Sequence, residues 1–113
     1  MTTIFGIKNC DTVRKARKWL ETNNVEHTFH DFREDGLSEE QVKRWVQAQG
    51  WEAVLNKRST SFRNLDENDK TNLTETKAIS LMLEHPTLIK RPVLQTSNSI
   101  TLGFKADTYQ GLF

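Results

Sequence analysis

The chain has one cysteine, two prolines and five glycines in 113 residues. A single cysteine excludes an internal disulfide, so a packed core must hold the fold, and the thiol is left free. So few prolines and glycines exclude a collagenous or low-complexity chain. No apolar run approaches the roughly 20 residues that span a bilayer, and the amino terminus shows no signal-peptide pattern. The expected address is therefore the cytosol, where an unpaired cysteine stays reduced, with no membrane role. An excess of one charge sign is also missing. Sixteen Lys and Arg stand against 15 Asp and Glu, a formal net charge of +1, so no global field marks the chain for nucleic acid or a lipid surface. Neither is a nucleic-acid-binding motif present, and no direct contact with nucleic acid is expected.

What remains is ordinary globular composition, 35% hydrophobic and 27% charged, in a length that suits one core. One domain over residues 1–113 is expected. Thr3 to Ile7 reads as a strand running into the turn-forming stretch Gly6 to Asp11. Asp11 or Thr12 is placed to cap a helix whose apolar positions are Val13, Ala16 and Leu20, with Arg14, Lys15, Arg17 and Lys18 on the solvated face. Asn23 and Asn24 end it, and Val25 to Phe32 follows as a strand. Ser38 with Gln41 three residues on forms a capping box, and Leu37 and Val42 can close a hydrophobic staple. That helix buries Val42, Trp45 and Val46 and stops at Gly50.

Residues 51–73 lack a period and read as short helical turns and loops. Another helix turns Ile79, Met82 and Leu83 inward and closes at His85 and Pro86. Strands at Arg91 to Thr96 and Ile100 to Phe104, joined by a turn at Ser97 to Ser99, should pair as an antiparallel hairpin, with a terminal helix from Ala106 to Phe113. The first half is a βαβ unit with parallel strands. The class is α/β, a mixed sheet with helices around it.

Cys10 lies where strand meets helix, in FGIKNCDTVRK. A thiol attacks as the thiolate. At that junction the sulfur can face the unsatisfied N–H groups of the first helical turn, where the dipole favours an anion, and Lys8 and Arg14 can add positive charge. The same amides could hold an oxyanion or the carboxylate of a thiol co-substrate. Against this stands a plain packing role, since free cysteines are commonly buried. Val13 occupies the place of the second cysteine of a CxxC pair, so any resolving thiol must come from outside, most simply glutathione.

NCDTVRKA resembles the CxxxR loop of the ArsC/Spx proteins, which include glutathione-dependent arsenate reductases and the Spx regulators. LNKRSTSFR is similar to that family's mid-chain basic loop, and LMLEHPTLIKRPVL to its late helix, turn and Arg-Pro strand. The resemblance covers essentially the whole chain, in order, and is nearest the YffB-type single-cysteine branch. It implies a thioredoxin-like four-stranded mixed sheet, βαβ then ββα, with a helical insertion at about residues 35–88. It also implies that Cys10 is the nucleophile, that Arg91 helps bind an anion, and that Pro92 is a cis-proline facing the cysteine. Proline suits that place because a cis bond before it costs only about 0.5–1 kcal/mol.

Departures from the family pattern bear on chemistry. Asn56 stands where the arsenate reductases carry an arginine after the apolar pair, here Val54-Leu55, and Arg58 follows two residues later. Phe104, beside Lys105, is at or near a third arginine position. Gly6 to Asn9 replaces a loop with histidine and proline. Two of three expected guanidinium positions are thus altered, and a tight oxyanion pocket would want several such forks.

Arg58, Ser59, Thr60 and Arg63 form a polar cluster that could receive glutathione carboxylates or be a solvated loop. His27, His30 and His85 lack a second placed ligand, so no metal site is expected. Trp19, Trp45 and Trp51 read as core or half-exposed helix residues.

The leading expectation is a glutathione-dependent thiol reductase. Cys10 is its nucleophile, Lys8, Asn9 and Arg14 stand around the thiolate, and Arg58, Arg91 and Pro92 place a small thiol, disulfide or oxyanion partner. Glutathione is the co-substrate and no metal is needed. The alternatives are an arsenate reductase and, from another class, an RNA polymerase-binding regulator in the Spx manner.

Overall fold

The computed structural model describes residues 2–113. Along the chain run β1 (Thr3–Gly6), α1 (Asp11–Thr22), β2 (Thr28–Asp31), α2 (Glu39–Gln49), α3 (Trp51–Val54), α4 (Thr60–Arg63), α5 (Glu67–Lys70) and α6 (Glu75–Glu84). A 3₁₀ turn at Pro86–Leu88 then leads to β3 (Val93–Gln95), β4 (Ile100–Leu102) and α7 (Ala106–Leu112). The residues divide into two compact units, one built from the chain up to Gly36 with Arg91–Phe113, the other from Leu37–Lys90.

The first unit holds a four-stranded sheet in the order β2-β1-β3-β4. β1 pairs with β2 in parallel, from Thr3↔Thr28 to Gly6↔Asp31. It pairs with β3 antiparallel through Ile4↔Leu94 and Phe5↔Val93, and β3 with β4 forms the expected antiparallel hairpin. The mixed sheet, βαβ followed by ββα, is therefore the one observed. Val13, Ala16 and Leu20 are the buried stripe of α1. Ile4, Ala16, Leu20, Leu94 and Tyr109 form the fully buried core between sheet and helices, and each of Ile4, Leu20 and Leu94 contributes about 1.5–3 kcal/mol by leaving water. The rings of Trp19 and Phe104 meet Tyr109 edge-on at centroid distances of 5.6 and 4.8 Å.

The strands are shorter than expected, β1 ending at Gly6, β3 covering Val93–Gln95 and β4 ending at Leu102, and the two ends of α1 differ as well. Cys10, rather than Asp11 or Thr12, is the N-cap of α1, with extended dihedrals of −119° and 121°. Asp11 is already the first helical residue, where its carboxylate meets the positive end of the helix. At the other end, Asn24 has a φ of 56°, its N–H donates to the Glu21 carbonyl, and the Val25 N–H donates to the Leu20 carbonyl at 2.9 Å. That is a Schellman ending, closed by the apolar contact it usually carries. Val25 is thereby committed to the helix, and β2 starts at Thr28 rather than Val25, leaving His27 outside the strand.

β1 and α1 approach closely. A Cβ on Gly6 would stand 2.7 Å from Val13 Cγ2. β2 ends on Asp31, which is 3% exposed and is the buried charged residue of this unit. Asp31 Oδ1 accepts the N–H groups of Arg33 at 2.7 Å and Glu34 at 3.1 Å, and Oδ2 accepts that of Lys8 at 3.2 Å. Burial pushes this carboxyl up, but the three backbone donors and the nearby Lys8 ammonium outweigh it, and its pKa lies below the ordinary value of 3.8.

In the second unit the Ser38–Gln41 capping box is complete. Val42, Trp45 and Val46 are buried, and Gly50 ends α2 with a φ of 86°. α3, α4 and α5 are single turns, as the absence of period suggests. α6 buries Ala78, Ile79, Leu81 and Met82. Leu83, expected inward, is only half-buried, because the apolar stripe is wide and Leu83 falls on its margin. Lys77 Nζ donates to the carbonyls of Asn68 at 2.6 Å and Thr71 at 2.7 Å, a cation at the carbonyl end of α5. The Leu55↔Ile89 bridge, with the Asn56 N–H on the Leu88 carbonyl at 2.7 Å, ties the segment after α3 to that after α6.

Two outcomes are expected. Gly6→Ala should destabilise by about 1–3 kcal/mol, the cost of overpacking a closed contact; Val13→Ala in the same chain should recover part of it, so a double-mutant cycle in urea must give a favourable coupling. For Asp31 the folded pKa is depressed, so its contribution to stability is full above the unfolded value and is lost as pH falls through the folded one. Urea midpoints of the wild type should therefore fall more steeply than those of Asp31→Asn on titration from about pH 6 to about pH 2.

Candidate functional site around Cys10

The sequence-predicted residues Lys8, Asn9, Cys10, Arg14, Arg91 and Pro92 all belong to the first unit, and Arg58 to the second. β1 delivers the chain to Ile7, which is buried, and Lys8 and Asn9 make an exposed turn. Cys10 follows, half-buried and unpaired. Its carbonyl accepts the Arg14 N–H at 3.0 Å, while its side chain makes no capping bond to α1. The sulfur is therefore not committed to the helix it precedes.

The two cations expected to charge the thiol have other partners as well. Lys8 Nζ donates to Glu34 Oε1 at 2.9 Å, and this hydrogen bond and the Glu34 charge raise the Lys8 pKa. Arg14 Nη1 pairs with Asp11 Oδ1 at 3.2 Å, and Arg14 Nε donates to the Lys8 carbonyl at 3.3 Å. Each cation thus has a carboxylate beside it, and Arg14 also grips the loop that leads to the cysteine.

The Arg91–Pro92 bond is cis. Pro92 is buried and Arg91 half-buried. Continuing the β1–β3 register by one step sets Pro92 across from Gly6, so Arg91 and Pro92 stand at the end of the sheet from which the Cys10 loop departs. The Pro92 carbonyl accepts the Gly103 N–H at 2.9 Å.

Arg58 is exposed, in the turn before α4. Its N–H donates to Asn56 Oδ1 at 3.1 Å, and Ser59 Oγ donates to the Asn56 carbonyl at 2.8 Å while accepting the Phe62 N–H at 3.1 Å. Ser59 and Asn56 are thus local scaffolding, with Thr60 and Arg63 at the two ends of α4. Among the described residues no three His, Cys, Asp or Glu side chains gather in a metal-holding group.

Sequence reasoning misses two residues. Asn56, which stands in an arginine's place, organises its own turn; an Asn three residues before a Ser was the available signal. Asp31 reads only as part of an alternating strand, although an Asp opening Asp-Phe-Arg-Glu-Asp-Gly is the pattern of a side chain that closes a turn on its own backbone.

The ArsC family model matches residues 5–112. The solved YFFB (PA3664) protein is 46% identical, with a TM-score of 0.96 over 98% of this chain and 97% of that one. An arsenate reductase (ArsC) related protein from Brucella melitensis is 43% identical, with a TM-score of 0.79 over 97% of this chain and 92% of that one. The global transcriptional regulator Spx of Streptococcus mutans is 29% identical over 109 residues, which are 95% of this chain and 79% of that protein. With its thioredoxin-like mixed sheet, its CxxxR loop and its Arg-Pro strand, the chain belongs to the ArsC family.

Proposed function

We propose that the protein is a glutathione-dependent thiol reductase in which Cys10 is the nucleophile. The observation that supports this most is the placement of an unpaired, half-buried cysteine as the N-cap of a 12-residue helix with its side chain uncommitted to the cap. A helix N-terminus is in general a favourable place for an anion, and the thiolate is the attacking form of a thiol. In the first step the Cys10 thiolate attacks one sulfur of a mixed disulfide, forming a Cys10–glutathione disulfide and releasing the other thiol as thiolate. In the second, a glutathione thiolate attacks the glutathione sulfur of that adduct, giving oxidised glutathione and the free Cys10 thiolate. Over the two steps, one glutathione thiol and the mixed disulfide give the free substrate thiol and oxidised glutathione, and no second protein thiol is required, which suits Val13 in the place of a resolving cysteine.

Arg91, beside the cis peptide, is the anion-binding group of this unit, while Lys8, Asn9 and Arg14 shape the loop. Arsenate is a weaker substrate in this reading, because Asn56 is engaged in its own turn and offers no guanidinium. We place the reaction in the reducing cytosol; among the described residues no helix is long and apolar enough to cross a membrane.

A regulator reading rests on the likeness to Spx. It differs in what the thiol must do: a binding protein that contacts RNA polymerase keeps its partner when Cys10 is replaced, whereas a reductase loses turnover.

Reduction of a small glutathione mixed disulfide, followed with reduced glutathione as electron source, should fall to background in Cys10→Ser. Wild-type protein exposed to oxidised glutathione should gain one glutathione by intact mass, and reduced glutathione should remove it. Arg91→Ala should still form the adduct but raise the KM for glutathione by about tenfold, as loss of one charge-assisted contact does. Full turnover in Cys10→Ser would refute the mechanism.

A further inference from the structure

The turn ahead of the cysteine is held from two sides. The backbone N–H of Lys8 donates to Asp31 Oδ2 at 3.2 Å, and the backbone carbonyl of the same residue accepts from Arg14 Nε at 3.3 Å. Both polar groups of one residue are therefore bound by charged side chains, one from the end of β2 and one from the first turns of α1. Asp31 is the firmer of the two, since it is buried while Arg14 is exposed. Its carboxylate is anchored by Arg33 and Glu34 on the other oxygen. Lys8 and Asn9 form an exposed turn, and Cys10 is the residue that follows it.

We propose that Asp31 is a positioning residue for the nucleophile: by holding the Lys8 N–H it fixes the turn that sets the place of Cys10 at the entrance of α1. The proposal rests on the reading of Cys10 as a reactive thiol. Asp31 does not touch the substrate; it acts through the Lys8 peptide group. The carboxylate is suited to this role because it can accept at both oxygens at once. An asparagine is not equivalent. Its single carbonyl oxygen would keep the Arg33 and Glu34 donors, and its amide NH₂ would then face the Lys8 N–H, donor against donor.

Asp31→Asn therefore releases the turn while keeping the shape of the side chain. Two measurements test the consequence. Exchange of the Lys8 amide hydrogen, followed by NMR, should accelerate by more than about tenfold, as expected for loss of a bond to a charged acceptor. Alkylation of Cys10 by iodoacetamide should slow several-fold at about pH 7 and converge with wild type at about pH 10, where thiols ionise without help.

Lys8→Pro is the second variant. It deletes the donor, leaves the Asp31 charge in place, and puts proline in the first of two turn residues, where its fixed φ is common. Its alkylation should fall below that of Lys8→Ala, which loses the same ammonium but keeps the N–H, and this comparison carries the test if Asp31→Asn does not fold. Unchanged Lys8 exchange in Asp31→Asn would overturn the proposal. So would faster exchange with unchanged alkylation, or a rise in Asp31→Asn with no change in Lys8→Pro relative to Lys8→Ala, which would make Asp31 only a charge near the thiol. If wild-type Cys10 reacts no faster than the thiol of the unfolded chain, the reductase reading fails, and with no reactive thiol to aim the proposal fails with it; the Lys8 exchange then reports whether the clamp itself exists.

Discussion

At Gly6 the backbone of β1 passes so near to Val13 that no side chain fits between them. Much of the first unit follows from that approach. It brings the first turn of α1 against the end of β1, leaves only the short link Ile7 to Cys10 between strand and helix, and so places the thiol at the helix entrance. The same end of β1 pairs with β2, and the register that sets Gly6 beside Asp31 brings a carboxylate to the turn that follows. A glycine with no chemistry of its own determines where the chemistry-bearing residues stand.

Around Cys10, charge is arranged for geometry more than for strength. The pairs Lys8–Glu34 and Arg14–Asp11 are exposed, and such pairs contribute only about 0–1 kcal/mol to stability. They leave the cysteine beside two neutralised cations rather than in a strongly positive pocket.

Local chemistry was the legible part of the fold. Ser38 with Gln41, and Gly50 after α2, act as read because each works through residues within one helical turn. The α1 stripe of Val13, Ala16 and Leu20 is likewise written in its spacing. Val25 was misplaced because a Schellman ending and a strand start compete for the same N–H, and side-chain alternation does not reveal which takes it. Leu83 and Leu81 exchange roles because an apolar stripe this wide has no sharp edge. In the candidate site, the position of Cys10 was legible, and Arg91-Pro92 stood out only through the family resemblance. The Lys8–Asp31 link was not, since a backbone donor 23 residues from its acceptor leaves no mark on composition or period.

The tryptophans fall unevenly between the two units. Trp19 belongs to the first, against Tyr109 and within 6.1 Å of the Phe113 ring, while Trp45, fully buried, and Trp51, with Lys57 over its ring, belong to the second. The intrinsic fluorescence of the protein is thus a sum of two separable signals. With Trp19 as sole emitter, light reports on the unit that carries the thiol; with Trp19 replaced by phenylalanine, it reports on Leu37–Lys90 alone. Whether the two units melt together or in sequence is therefore written in the protein's own optical spectrum, without any added label.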